Sequence, residues 1–260
     1  MERVERVGIS AYRSIHPDGA AELDGATVLR MPAAHASPIL NRIVGLGVDG
    51  PASEQQLDDA IAAMSGLWYY VSVSPAARPA AIGDWLAARG FAPSWGWMQF
   101  RRSVDVVPGA LTSLTIVSVD GQRAGAFARL VRETYGLPEA LEPIIAALPG
   151  RPGWHCWLAL AGSEPAGAGA LYVSSDGGSP AGYLAMAATA LQHRGKGAQS
   201  ALLATRIERA RELGCDTVYT ETGEQRPDRP SASYRNLVRS GFEELYVVPN
   251  WLGPPPGRGA

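Results

Sequence analysis

Apolar and polar positions in the second half of the chain group into short periodic runs separated by glycine-containing breaks. Leu114 to Val119 reads as a strand, and Arg123 to Tyr135 carries Phe127, Leu130, Val131 and Tyr135 at helical spacing. Pro138 to Leu148 continues as a second helix. Strand-like runs follow at Trp154–Leu160, Ala166–Val173 and Gly182–Thr189, parted by turns at Gly162-Ser163 and Asp176-Gly177-Gly178. From Ala198 to Leu213 the residues Leu203, Ile207, Ala210 and Leu213 fall on one helical face, and Gly214 can cap that helix. Asp216 to Thr222 is a strand, Ser231 to Ser240 a helix stopped by Gly241, and Phe242 to Val248 a last strand. The order β-α-α-β-β-β-α-β-α-β predicts an α/β chain of the α+β kind, with a mixed sheet.

The first half contains a partial echo of this order. Trp85-Leu86-Ala87-Ala88-Arg89-Gly90-Phe91 matches Asn236-Leu237-Val238-Arg239-Ser240-Gly241-Phe242 as a helix, a Gly-Phe break and a strand. Each is preceded by an apolar strand, Trp68–Val73 in one case and Thr217–Thr222 in the other. Ile43 to Val48 stands where the second half has Gly182–Thr189. The segment after it, Asp49-Gly50-Pro51-Ala52-Ser53-Glu54, is acidic where the second copy is basic, so it would repel a pyrophosphate. A degenerate copy, kept for structure or for a substrate cleft, is expected there. Arg101-Arg102-Ser103 followed by Val107-Pro108-Gly109 marks a boundary, giving domains at 1–106 and 111–252. The Pro- and Gly-rich segment 253–260 reads as a disordered or extended tail.

Composition narrows the function classes. With 260 residues, 46% hydrophobic and 18% charged, the chain reads as a soluble globular protein with a sizeable core. A formal charge of −2 gives no reason to expect nucleic acid, so any polyanion must be held by a local site. No apolar stretch approaches the roughly 20 residues that span a bilayer, so no membrane partner is expected. Met1-Glu2-Arg3-Val4-Glu5 lacks the basic start and apolar block of a signal peptide, which leaves the cytoplasm as the expected compartment. Cys156 and Cys215 read as buried thiols, and no Cys/His spacing suggests a metal.

The chemistry concentrates in Gln192-His193-Arg194-Gly195-Lys196-Gly197-Ala198-Gln199-Ser200, which joins a strand to a helix. Glycines at such a junction let backbone N–H groups turn outward beside the positive end of the helix dipole, which makes an anion site without any particular side chain. Lys196 is the only lysine of the chain.

These residues resemble the acetyl-CoA signature of the GCN5-related N-acetyltransferase (GNAT) superfamily, Arg/Gln-x-x-Gly-x-Gly/Ala between its fourth strand and third helix. The register Arg194-Gly195-Lys196-Gly197-Ala198-Gln199 keeps the usual spacing from the strand but puts Gln199 at the last small position. Gln192 to Gly197 also satisfies the pattern, two residues earlier. The first register is preferred because Ala201, Leu202 and Leu203 then fall where the helix buries apolar residues. Ser233-Tyr234-Arg235-Asn236-Leu237 followed by Gly241-Phe242 resembles the family's second conserved region. The resemblance covers about 113–252 and reaches the first half only through its broken echo, so a tandem pseudo-repeat with one degenerate copy is expected.

The resemblance implies that backbone amides from Gly195 to Ser200, including those of Lys196, Gly197, Ala198 and Gln199, hold the pyrophosphate of acetyl-CoA. Arg194 and Lys196 would add charge. The pantetheine arm would run along the strand edge at Ala187, Ala188 and Thr189, one of whose N–H groups can polarise the thioester carbonyl. Asn236 can bond the cofactor arm or simply be a polar residue on an exposed helix face. The family's activity implies direct attack by an amine on acetyl-CoA in a ternary complex. The expected partners are therefore a small-molecule amine and, in a homodimer, a second copy of the chain.

The proton-transfer residues depart from the better-known members. Leu237 stands where their tyrosine acid lies, and Tyr183 stands where some relatives place a glutamate base. Three replacements are available, each with a plainer alternative. Glu221 can act through water or be a solvated or salt-bridged strand end. Tyr183 can titrate or be a core aromatic. Tyr234 can supply the missing acid from one turn earlier or be a surface tyrosine. His155 and His193 read as a strand histidine and a polar turn residue. Trp68, Tyr69, Tyr70, Trp95 and Trp97 either fill a core or line a cleft for an apolar amine, whose ammonium aromatic faces attract. A rival from another class is a pseudoenzyme that binds acyl-CoA without turnover, and a weaker one is a scaffold that binds none.

Overall fold

The computed structural model describes residues 3–16, 19–107, 109–175, 178–228 and 230–256. Asp176-Gly177 of one predicted turn, Pro108 of the predicted boundary and 257–260 of the predicted tail lie outside the described residues. Contacts divide the chain into two units. One comprises Met1–Gln99, Glu221–Ser231 and Leu245–Ala260, the other Phe100–Thr220 and Ala232–Glu244.

The elements of the first unit begin with α1 (Arg3–Ile15), β1 (Ala20–Leu23), β2 (Ala26–Leu29), β3 (Arg42–Val44) and α2 (Glu54–Ala63). They continue with β4 (Tyr70–Ser72), α3 (Ile82–Ala88) and β5 (Ala92–Pro93). After them come β6 (Trp97–Ser103), β7 (Thr115–Ser118), α4 (Ala124–Tyr135), α5 (Glu142–Ala146), β8 (Trp154–Ala161), β9 (Glu164–Ser174) and β10 (Ala181–Thr189). The chain ends with α6 (Ala198–Glu212), β11 (Thr217–Gly223), α7 (Ala232–Arg239), β12 (Glu243–Val248) and β13 (Asn250–Leu252).

In the first unit, Val4, Val7, Gly8, Ala11 and Ile15 of α1 are buried at the spacing of one helical face. The sheet runs β1-β2-β3-β4-β13-β5. Its β2 and β3 are antiparallel, and β3 and β4 are parallel with Arg42 beside Tyr70. Between β3 and β4, α2 starts at Ser53, whose side chain and that of Gln56 cap each other's backbone N–H groups. Ile43, Leu46, Leu57, Met64, Val71 and Leu86 form the centre of its core. The predicted strand Ile43–Val48 ends at Val44, because Gly45 and Gly47 take φ of 80° and 76° and turn the chain. At the C-terminal end β13 pairs with β4 and β5, and Gly253 N–H donates to Tyr69 O at 3.1 Å, so the segment after Val248 begins as an ordered strand. The helix α1 and the β1–β2 hairpin had no counterpart in the sequence reading.

The second unit follows the predicted order closely. The sheet runs β12-β6-β11-β10-β9-β8-β7. Strands β7 to β10 form an antiparallel meander, and β10 pairs with β11 in parallel through Gly182–Val218 and Tyr183–Tyr219. Both units thus place a strand, a helix and a parallel strand in succession after an antiparallel neighbour, which is the predicted echo. The helix expected over Pro138–Leu148 is broken into a 3-10 turn (Glu139–Leu141), α5 and a second 3-10 turn (Leu148–Gly150). Pro143 lacks the N–H that a continuous helix would use there. Helix α6 packs on β9 over glycines. A Cβ on Gly167 would lie 3.1 Å from the Ala198 Cβ, and one on Gly169 would lie 3.0 Å from the Arg206 guanidinium.

Candidate active site

The glycine loop lies wholly within the second unit. After β10 the chain makes a 3-10 turn (Leu191–His193), extends at Arg194 and enters α6 through Gly197. Gly195 and Gly197 have φ of 77° and 80°, where a side chain is strained. At Gly197 space adds a second requirement, because a Cβ would sit 2.5 Å from Leu111 O. Thr112 Oγ1 donates to Lys196 O at 2.7 Å and holds the loop from the other side. Gly197 offers no side-chain cap, so the first-turn N–H groups of α6, from Ala198 to Ser200, are left for an external acceptor. Arg194 and Lys196 are exposed beside them.

Two side chains in the loop do more than the sequence suggested. Gln199 Nε2 donates to Ala188 O at 2.8 Å and to Thr189 Oγ1 at 2.9 Å. Its departure from the small residue of the motif therefore clamps the helix start to the end of β10. His193 ends the 3-10 turn, as its reading as a polar turn residue has it, and is buried there. Its Nδ1 is 3.2 Å from Lys196 Nζ and its Nε2 is 3.2 Å from Glu164 Oε1. An ammonium can only donate, so the ring accepts at Nδ1, while its buried Nε2 makes no hydrogen bond among the described residues. Gln192 and His193 hold the Glu164 carboxyl below the usual carboxylate range.

The strand edge beside this loop is irregular in a useful way. Pairing of β10 with β9 shifts register between Ala185 and Ala188, where Met186 adopts a φ of 54°. Pairing with β11 stops at Tyr183, with Thr220 Oγ1 donating to Leu184 O at 2.9 Å, while β10 runs on to Thr189. The two parallel strands therefore part beside Ala187, Ala188 and Thr189. Tyr135 Oη donates to Ala187 O at 3.0 Å. Beneath the bulge lies Arg206, 1% exposed, with Nε donating to Leu202 O at 2.9 Å and Nη1 to Ala185 O and Ala170 O at 3.3 and 3.4 Å. Burial lowers this guanidinium to about 10. Its position within the apolar stripe of α6, three residues after Leu203, was the available signal, and the sequence reading passed over it.

The candidate proton-transfer residues are dispersed. Tyr183 is 2% exposed in β10, level with Tyr172 and Tyr219 on the adjoining strands. Tyr234 sits on α7 edge-on to Phe100, with ring centroids 5.4 Å apart. Desolvation and then a hydrogen bond to the Glu244 carboxylate push its hydroxyl up to about 12. Asn236 lies on the same helix and its Oδ1 accepts from Arg239. Leu237, at the family's tyrosine position, is buried. On β8, His155 is lowered by partial burial and then by Arg209. Both cysteines are buried and free, and burial pushes Cys156 up to about 12.

Glu221 belongs to the first unit, at its own small cavity. Its carboxylate forms a buried ion pair with Arg42 (Nη1–Oε1 2.8 Å) and accepts from Tyr12 Oη at 2.6 Å and Gln99 Nε2 at 2.9 Å. The salt-bridged alternative is thus its observed state. The rings of Tyr12 and Trp97 lie 5.0 and 5.2 Å from the Arg42 guanidinium carbon. Of the aromatic cluster, Tyr69 and Tyr70 are core residues and Trp95 packs edge-on against Tyr70 and Trp97.

Residues 126–232 match the model of the acetyltransferase (GNAT) family. The fold extends further. A GCN5-related N-acetyltransferase from Kribbella flavida superposes with a TM-score of 0.70 over 98% of this chain and 96% of its own, at 17% identity. A GCN5-related N-acetyltransferase from Sphaerobacter thermophilus gives 0.60 over 87% and 76%, at 15% identity. No protein of curated function matches the sequence. Among the described residues no helix is long and apolar enough to cross a membrane.

Proposed function

We propose that the protein is an acetyl-CoA-dependent N-acetyltransferase that acetylates a primary amine of a small or amino-acid-like molecule. The observation that carries this reading is the uncapped start of α6 behind Gly195 and Gly197, placed next to the bulged, unpaired edge of β10. The donor set fits the diphosphate of CoA: backbone N–H groups at a helix N-terminus, with Arg194 and Lys196 exposed alongside and no side-chain cap competing. Ala187, Ala188 and Thr189 would pair with the pantetheine amides, and Asn236 would bond the same arm from α7.

Bound acetyl-CoA supplies an acyl group already activated as a thioester. The chain's own work is then to orient it, to polarise its carbonyl and to manage two protons. Arg206 contributes to the second task, because its bond to Ala185 O polarises the peptide whose N–H belongs to Met186, the residue of the bulge. Tyr234, whose hydroxyl stays protonated up to about 12, is assigned as the donor to the departing thiolate. The amine gives up its proton to water, Tyr183 serves to fix β10, and Glu221, ion-paired with Arg42, is given no part in the transfer.

Calorimetric titration with acetyl-CoA tests the reading, alongside the Arg194→Glu/Lys196→Glu variant. Micromolar binding lost in the variant, together with thiol release from an amine panel, is the expected result. Binding without acyl transfer to any amine would instead favour the acyl-CoA-binding pseudoenzyme, which the buried Leu237 at the family's tyrosine position supports. Absence of binding by the intact protein would remove both.

A further inference from the structure

We infer that the cavity of the first unit is a recognition site for the ammonium head of an unbranched primary alkylamine, with Glu5 as its anionic anchor. The site stands on geometry independent of the proposed CoA loop. The cavity measures about 30 Å3 and lies between α1 and the strands β3 and β4. That is room for a water-sized head group and little more.

Its charges are unequal. Arg42 is committed to Glu221 through Nη1, and its Nε and Nη2 reach Ser72 Oγ at 3.4 and 3.3 Å. Ser72 Oγ is turned away by its own bond to Asn250 Oδ1 at 2.7 Å. Glu5 is arranged differently. Ser74 Oγ and Tyr246 Oη both donate to its Oε1, at 2.7 and 2.8 Å, and no cationic side chain among the described residues pairs with it. Two neutral donors orient this carboxylate without neutralising it. The cavity is left with one net negative charge and the second oxygen of Glu5 lacking a donor.

A half-buried, oriented and uncompensated carboxylate attracts a cation with several N–H donors more strongly than any neutral group. The other oxygen of Glu221 has one donor, Gln99, and can accept from the same ligand. The remaining walls are aliphatic, from Val4, Ile9, Val44 and Val248, and suit the carbon next to the head group. Gly8, in the middle of α1, keeps that wall low at a position where glycine costs helix stability relative to alanine.

The test uses the full chain without acetyl-CoA and follows chemical-shift changes on titration with n-butylamine at neutral pH. Saturable n-butylamine binding is expected, weakened at least tenfold in Glu5→Gln, which keeps an acceptor for Ser74 and Tyr246 and so preserves the fold. Butan-1-ol and butyltrimethylammonium, respectively uncharged and too bulky, should bind at least tenfold more weakly. Equal binding of the alcohol or of the quaternary amine, tighter binding of butyrate, an unaltered Glu5→Gln or no n-butylamine binding would each overturn the inference. The Arg194→Glu/Lys196→Glu variant separates the two proposals. If acetyl-CoA fails to bind the intact protein while n-butylamine still does, the transferase reading falls and the amine site remains.

Discussion

Each unit buries an arginine, and the two are satisfied in opposite ways. Arg42 is paired with the Glu221 carboxylate, bonded to Ser72 and flanked by the rings of Tyr12 and Trp97. Arg206 has backbone carbonyls for partners, from its own helix and from the two strands beneath it. A guanidinium met by a carboxylate keeps its charge at little net cost, whereas one met by carbonyl dipoles bears its desolvation almost alone. The lowering of Arg206 to about 10 records that imbalance. The lesson concerns where each unit invests: side-chain charge in the first, backbone geometry in the second.

The difference predicts a ranking. Arg42→Met strands a buried carboxylate and should cost about 3–5 kcal/mol in urea denaturation, with most of it recovered in Arg42→Met/Glu221→Leu. Gly197→Ala puts a Cβ against Leu111 O in a left-handed backbone. It should cost about 1–2 kcal/mol from strain alone and abolish acetyl-CoA binding measured by calorimetry. Gln199→Ala cuts the bonds to Ala188 O and Thr189 Oγ1, for a loss of about 1 kcal/mol and a severalfold weaker acetyl-CoA complex.

Arg206→Met should move stability least, by about 1 kcal/mol or less in either direction, since it removes an ill-compensated charge along with its bonds. A loss as large as that of Arg42→Met would break the comparison. The pH dependence sharpens it. Folded Arg206 releases its proton at about 10, below the value it has in the unfolded chain. Above pH 10 the unfolded state therefore binds more protons, and wild type should gain stability relative to Arg206→Met as pH rises. Parallel denaturation series at pH 8 and about pH 11 would show it.

Much of the second unit was legible because its signals are local. The 3.6-residue period of Ala124–Tyr135, the glycine break before Ala198 and the Gly-Phe step after α7 each lie within a few residues of the element they define. The broken helix at α5 shows where that logic was overextended, since apolar spacing persisted across a proline that the backbone could not carry. In the first unit β1 and β2 are four residues long, too short for periodicity to register, whereas the apolar runs around β3 and β4 were legible.

By itself the sequence determined the order of elements in the second unit and the glycines of the turn that leads into α6. Those features depend on backbone conformations that a residue and its near neighbours set. Only the tertiary structure decided which side chains would meet. Arg42 found Glu221 179 positions away, and Glu5 found Tyr246 across 241. The burial of Arg206 and the bonds that hold Glu5 likewise depend on distant strands. Electrostatic pairing and desolvation are properties of surroundings assembled from the whole chain, so no local pattern could have announced them.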